Sequence, residues 1–265
     1  MTIKPFLKWA GGKRWLVEKD EFVIPSYSGR YIEPFLGSGA VFFHHQPEKS
    51  ILSDLNPRLI ETYKAIREDW ETVWRYLTDH QKAHSKEYYY QVRTQSFSDY
   101  RQRAAHFLYL NRACWNGLYR ENLKGEFNVP IGTKTKILLD DDNFENTSKL
   151  LAGAELRNCD FELTIDSSVA GDFIFIDPPY TTAHNMNGFV KYNQRIFSWD
   201  DQVRLRDAVF RARARGAKIL ITNADHTSVN ELYKSSSGIT SIKRPSIIAA
   251  SSAKRGTTSE ILIEP

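Results

Sequence analysis

The sequence predicts an α/β protein built on a parallel sheet, with a mainly helical stretch set into it between about residues 70 and 143. Three observations carry that reading. Phe173, Ile174, Phe175 and Ile176 form a short continuous apolar run, the pattern of a strand buried on both faces of a parallel sheet. Residues 31–43, YIEPFLGSGAVFF, read as a short strand, a turn holding Gly37 and Gly39, and the apolar start of a helix. From Trp70 to Asn143 the strand signal gives way to segments rich in tyrosine and arginine whose periodicity is helical.

In chain order, residues 4–15, KPFLKWAGGKRW, set two adjacent glycines beside Trp9 and Lys13. The pattern suits a close backbone approach to a ligand, with an aromatic face and a cation nearby. Taken alone, a basic N-terminal turn accounts for it better. It is not a phosphate-binding loop, because Leu7 stands where the first glycine belongs and Arg14 where Ser or Thr belongs. The Gly37-x-Gly39 turn lets a nucleoside lie against backbone at a helix N-terminus, although Phe42 replaces the last glycine of the dinucleotide fingerprint. A strand over Ser50 to Ser53 ends at Asp54, and Asn56-Pro57 opens the next helix. Asp54 follows Gly39 by 15 residues, somewhat closer than the ~20 usual for an acid on ribose hydroxyls. The order strand, turn, helix, strand, acid favours a nucleoside ligand over a helix-flanking surface acid.

Helices are expected over residues 70–84, 86–96 and 99–114. In residues 108–132, LYLNRACWNGLYRENLKGEFNVPIG, Asn116-Gly117 and Lys124-Gly125 are turn signals of a β-hairpin or extended loop. Arg112, Trp115, Asn116, Tyr119, Arg120, Asn122 and Lys124 gather cations, amides and aromatics there. Such an array can pair an arginine with guanine, read adenine with an amide and wedge an aromatic into a base step; the alternative is a solvated loop with a structural aromatic cluster. A short helix over 144–151 and a strand from Ala154 to Phe161 follow, the strand ending in Asp160-Phe161, an acid and an aromatic suited to an adenine ring.

The apolar run at 173–176 ends in Asp177, Pro178, Pro179 and Tyr180. The prolines lack N–H groups and have fixed φ, so no strand or helix continues through them. Asp177 is thereby held at the carboxyl end of a strand, where open α/β sheets bind ligands. An exocyclic amino group on a nucleobase is a poor nucleophile because its lone pair is delocalised into the ring. A fixed carboxylate oxygen and the carbonyl before the second proline can accept its two hydrogens, with Tyr180 stacked on the ring. A plain structural turn is the competing reading.

Beyond it, residues 181–189, TTAHNMNGF, read as a mobile lid. Trp199 to Arg215 is an amphipathic helix with Val203, Ala208, Val209, Phe210 and Ala212 inward, arginines outward and Gly216 as its cap. Lys218 to Thr222 reads as a buried strand and Thr227 to Lys234 as a helix. Ser241–Lys243 and Ser259–Ile263 read as a closing antiparallel hairpin, joined by a basic loop that either touches phosphate or is plain surface.

A chain of 265 residues fits one large domain or a domain with an insertion. Its 41% hydrophobic and 26% charged residues exclude a disordered or membrane-embedded class, and no apolar run approaches the ~20 residues of a membrane span. The N-terminus lacks a signal-peptide apolar core. Cys114 and Cys159 have no metal-ligand spacing, so a reducing cytoplasm and no metal are expected. A net charge of +4 permits a polyanionic partner.

Together FLKWAGGK, EPFLGSGAVFF, SDLNP, the NR–x–x–WNGLYREN–x–x–GEFNVPIG block, CDF and DPPY resemble, in the same order, the Dam-type DNA adenine methyltransferases. The resemblance spans nearly the whole chain. It implies a doubly wound, mostly parallel Rossmann-like methyltransferase sheet, with residues 1–56 and 144–265 as the S-adenosylmethionine-binding catalytic domain. Residues 57–143 would be a target-recognition domain carrying the hairpin. It further implies that Trp9, Lys13, Phe35, Gly37 and Gly39 border the cofactor and that Asp54 binds its ribose. Asp160 and Phe161 would contact its adenine, and Asp177, Pro178, Pro179 and Tyr180 would hold the target adenine, with Asp177 also facing the cofactor. Trp115 would wedge into duplex DNA, Asn116 would support the orphaned strand, Leu118, Arg120 and Pro130 would read bases, and Arg112, Asn122 and Lys124 would join the DNA contacts. A tryptophan at 115 replaces the smaller tyrosine frequent in the family. The implied target is GATC in double-stranded DNA. The enzyme is expected as a monomer, or a dimer on DNA, in the cytoplasm of a bacterium or of a phage-infected host. Two other classes share parts of the pattern: a methyltransferase of RNA or of glutamine amides in protein, and a DNA-binding regulator without catalysis.

Overall fold

A computed structural model describes residues 3–117, 119, 120, 122, 126–183, 197–245 and 257–265. The expected lid over 184–189, most of the basic loop, and Leu118 and Lys124 lie outside them. By packing the chain divides into two compact units: residues 1–17, 36–48 and 54–158, and residues 18–35, 49–53 and 159–265.

The second unit holds most of the sheet. Strands β1 (Tyr31–Glu33), β2 (Ser50–Asp54), β4 (Phe173–Ile176), β5 (Lys218–Ala224), β6 (Gly238–Pro245) and β7 (Thr257–Glu264) lie in the order β2-β1-β4-β5-β7-β6. Pairing is parallel from β2 through β1 and β4 to β5, and antiparallel for β5–β7 and β7–β6. β4 is buried along its whole length, as its unbroken apolar run requires. Ile174 and Ile176 face one core with Ile32, Ile219, Ile221, Ile261 and Ile263, while Phe173 and Phe175 pack on Tyr27, Tyr31 and Phe22 on the other side. Helices α6 (Phe161–Asp166) and α7 (Trp199–Ala214) supply Phe161, Ile165, Leu205, Ala208, Val209 and Ala212 to the isoleucine side. Val203 and Phe210, expected inward, are only half-buried, and buried Gln202 and Leu205 complete the inner stripe. At the entrance to β4, Asp172 is buried and held by Arg30, whose Nη2 lies 2.7 Å from Oδ2.

β1 and β4 run parallel with Ile32 beside Ile174, so their carboxyl ends open on the same edge. Strand order reverses about this pair, since β2 flanks β1 and β5 flanks β4. That is the switch point at which open α/β sheets hold ligands. The glycine turn leaves from the end of β1 and the DPPY segment from the end of β4.

The first unit is mainly helical. Helix α2 (Pro57–Ala83) is capped by Asn56, whose Oδ1 accepts from Leu59 N at 3.1 Å. The two helices expected on either side of residue 70 run together, with a break at Asp69 (φ −156°, ψ 63°), whose side chain caps Thr72 N. Helices α3 (Lys86–Val92) and α4 (Tyr100–Ala113) follow, and residues 104–113 of α4 are buried on every side, which makes α4 the spine of the unit. α1 (Ala40–His45), α5 (Phe144–Leu151) and β3 (Ala154–Asn158) complete it. The strand expected to reach Phe161 stops at Asn158, because Asp160 caps α6 through Glu162 N at 2.9 Å and diverts the chain into helix.

Arg112 corrects the reading of it as a DNA contact. It is 3% exposed, and its guanidinium meets both oxygens of Asp142 at 2.6 Å as well as the carbonyls of Phe6 and Ile137. With every donor direction engaged inside the unit, it ties α4 to the segments on either side of it. Removing one partner of a buried pair strands the other charge, a cost of about 3–5 kcal/mol, where an exposed pair is worth about 0–1. We expect Arg112→Ala to lower unfolding free energy by about 3–5 kcal/mol in urea titration; a change below ~1 kcal/mol would contradict this role.

Candidate active site

In the second unit the DPPY segment is fastened to the sheet by side chains. Asp177 is half-buried, and its Oδ1 accepts from Thr222 Oγ1 on β5 at 2.7 Å. Tyr180 donates its hydroxyl to Glu260 Oε2 on β7 at 2.7 Å. Burial first, then the charges of Asp177 and Glu260, hold the phenol's pKa well above the usual tyrosine range, so it remains a donor. Pro178 is buried, and Thr181 Oγ1 donates to Phe197 O at 2.7 Å.

Next to this segment three aromatic rings group together. Phe35 stacks on Phe161 at 5.2 Å and 24°, and Phe197 meets both rings nearly edge-on or tilted. Asp160, just before Phe161, is gripped by Arg204 at 2.9 and 3.0 Å, and the same guanidinium lies 4.4 Å from the Phe161 ring centre. Arg204 was expected to face outward; it bridges Asp160, Glu162 and Asp201 instead. Oδ1 of Asp160 also accepts from Glu162 N, so Oδ2 is the oxygen with lone-pair capacity for a further donor.

In the first unit Asp54 organises the glycine turn. Its Oδ2 accepts from Gly37 N at 3.0 Å and its Oδ1 from Asn56 N at 2.9 Å. Burial raises its pKa above the ordinary carboxylate value, and the N–H donors of Asn56, Gly37 and Leu55 oppose that rise. Gly37 has φ +48°, and a Cβ there would lie 2.7 Å from Trp9 Cδ1, so the indole packs directly on the turn. Gly39 has φ +64°, and a Cβ there would stand 3.0 Å from the Tyr63 hydroxyl, which donates to Gly37 O. Trp9 is also stacked on Tyr119 at 6.2 Å and 15°. Lys13 is buried, with Nζ donating to Gly11 O at 2.8 Å, so it closes its own loop. Asn111 fixes the preceding residue by a two-way bond to Lys8, at 3.0 and 2.7 Å.

The expected hairpin leaves α4 through a Cys114–Ile131 bridge and a Trp115 N to Pro130 O bond of 2.9 Å. Further out, Asn122 N donates to Glu126 O and Asn128 N to Arg120 O. Trp115 is 51% exposed and Asn116 sits at φ +56° beside it. Arg120 and Pro130 are exposed and Asn122 half-buried. Exposed side chains thus gather on one hairpin, while Arg112 at its root is internal. Cys114 is buried, and burial pushes its thiol up to about 12, which excludes a thiolate nucleophile there.

Thr222, Arg204 and Glu260 carried no local signal beyond one: Glu260 is an acid directly before the apolar run Ile261–Ile263. Among the described residues no group of three or more His, Cys, Asp or Glu could hold a metal, and no helix is long and apolar enough to cross a membrane. The geometry of the turn makes one substitution diagnostic. Gly37→Ala forces a Cβ into Trp9 at positive φ, and we expect it to destabilise by more than ~1 kcal/mol and to weaken methyl-donor binding in calorimetry. Unchanged stability and affinity would show that the turn has slack.

Comparison with known proteins agrees with this arrangement. The family model of the D12 class N6 adenine-specific DNA methyltransferase matches residues 9–247. The Type II methyltransferase M1.LlaDCHI of Lactococcus lactis subsp. cremoris is 35% identical, over 99% of this chain and 95% of that protein. The Type II methyltransferase M.MjaIII of Methanocaldococcus jannaschii is 37% identical, over 84% and 85%. A DNA adenine methylase of Vibrio cholerae is 32% identical, over 98% and 95%. Motif order, the acid-proline-proline-tyrosine turn at a switch-point strand and a match covering most of the chain converge: the protein belongs to the D12 class of N6 adenine-specific DNA methyltransferases and is a site-specific DNA adenine methyltransferase.

Proposed function

We propose that this enzyme methylates the adenine of GATC in double-stranded DNA, acting on a base rotated out of the helix. The observation that carries the reading is the fastened turn after β4, where Asp177 is held by Thr222 and stays partly accessible. Inside a stacked duplex the amino group cannot meet a carboxylate so placed. Rotation costs a few kcal/mol, offset by stacking and by hydrogen bonds to the base's Watson–Crick edge. Asp177 accepts one amino hydrogen and the carbonyl of Pro178 the other, which redirects the nitrogen lone pair out of the ring and orients it for attack. Tyr180 supplies the stacking face. Methyl transfer is direct, with no covalent enzyme intermediate.

Enzymes of this family generally use S-adenosylmethionine, and the residues present suit it. Asp54, which takes the N–H groups of Gly37, Asn56 and Leu55, retains acceptor capacity for a ribose hydroxyl. The Gly37 turn leaves no room for a side chain where backbone must approach a ligand. When bound, the donor supplies an electrophilic sulfonium methyl group. We assign Asp54 to its ribose, Trp9, Phe35, Gly37 and Gly39 to its methionine end, and Asp160 and Phe161 to its adenine. Lys13 acts by shaping the Gly11–Gly12 loop. Residues 57–143 serve target recognition: Trp115 enters the base stack, Asn116 steadies the strand left behind, and Arg120 and Pro130 read bases. Leu118, Asn122 and Lys124 join the DNA contacts. The enzyme works in the cytoplasm of a bacterium or of a phage-infected host, as a monomer or as a dimer on DNA.

Two measurements test these assignments. Asp177→Ala is expected to abolish methyl transfer to a GATC duplex while leaving duplex affinity within about threefold; normal turnover by that variant would defeat the mechanism. Arg120→Ala is expected to relax discrimination at one guanine by about 1–3 kcal/mol, the value of one bidentate contact. Equal losses on cognate and scrambled duplexes would remove its base-reading role.

A further inference from the structure

Glu260 lies in the middle of β7, directly before the apolar run Ile261–Ile263, and it is 4% exposed. Its register sets it opposite Ala224 of β5 and Ile242 of β6. One oxygen, Oε2, receives the Tyr180 hydroxyl at 2.7 Å, and the other lies 2.7 Å from Nη1 of Arg244 on β6. Arg244 is in turn steadied by Thr258 Oγ1, at 3.3 Å from its Nε. A buried carboxylate in a sheet core is costly, and replacing such a pair by apolar residues often stabilises a protein. Its presence behind a turn that carries the chemistry therefore calls for a reason other than stability.

We propose that Glu260, paired with Arg244, is the positioning residue that sets the orientation of the Tyr180 ring for the target base. This rests on the assignment of Tyr180 to the base pocket. Pro178 and Pro179 have no N–H to offer a neighbouring strand, so side chains share in holding the turn. The far end of the Tyr180 ring is tied by Glu260, and the same hydroxyl also meets Thr222. A hydrogen bond from its hydroxyl to a charged oxygen is short and strongly directional. Because β7 is paired along both of its edges, the anchor itself does not move. The burial and the neighbouring charges described above hold the phenol's pKa well above the usual tyrosine range, so it stays a donor to Glu260.

The test is a double-mutant cycle of Glu260→Gln and Tyr180→Phe, read by single-turnover methylation of a GATC duplex, by affinity for duplex and for S-adenosylmethionine, and by thermal unfolding. Glu260→Gln keeps an acceptor but removes its charge; Tyr180→Phe keeps the ring but removes the tie. We expect each to slow methyl transfer about tenfold with both affinities within threefold of wild type, and the double variant to be no slower than Tyr180→Phe alone. Wild-type rates in Glu260→Gln, or losses that multiply in the double variant, would overturn the proposal. Should Glu260→Gln fail to fold, Tyr180→Phe decides: wild-type turnover with the hydroxyl gone overturns the proposal, and a tenfold loss at unchanged affinities supports it. Failure of the wild-type enzyme to methylate any duplex would instead overturn the reading of the site on which this one stands.

Discussion

The interaction on which the rest of this structure depends is the tying of residues 177–180 to the strands beside them. Two consecutive prolines end β4 abruptly and place an acid at its tip, but they also remove two of the segment's four backbone donors. Side chains take up part of the task of holding the turn. Thr222 reaches Asp177 and Glu260 reaches Tyr180, each at 2.7 Å. Both come from the β5–β7 pair next to β4, so the antiparallel extension of the sheet shapes the site as well as closing an edge.

The helical unit answers a similar need by different means. Its glycine turn is stabilised from three sides: the Asp54 carboxylate on the Gly37 N–H, the Tyr63 hydroxyl on the Gly37 carbonyl, and the Trp9 indole against the missing side chain. α4 carries the load beneath. Asn111 fixes the Lys8 backbone, and Arg112, one residue on, joins Phe6, Ile137 and Asp142. Neighbouring polar residues at the end of a buried helix thus hold the N-terminal motif in place, while the side chains just beyond the helix are turned to solvent.

Much of this was legible in the chain because its signals are local. An unbroken apolar run, a proline pair, positive-φ glycines and an asparagine before a proline act through the few residues around them, and each element appeared where those signals placed it. Boundaries moved where a cap intervened, as at Asp160, or where a break did not end a helix, as at Asp69. Arg112 and Arg120 show the limit. Both lie in one polar block eight residues apart, and composition treats them alike; one is sealed against Asp142 and the other is exposed.

By itself the sequence determined the α/β class, the placement of the glycine turn and the acid-proline-proline-tyrosine turn after strands, and the kind of ligand these suit. Covalent geometry and burial pattern suffice for those, since both are set by nearest neighbours along the chain. Tertiary structure alone decided which polar residues work by holding others: Thr222, Glu260 and Arg204 meet partners 45, 80 and 44 residues away. A contact at that separation exists only once strands have paired and helices have packed, so no local pattern encodes it.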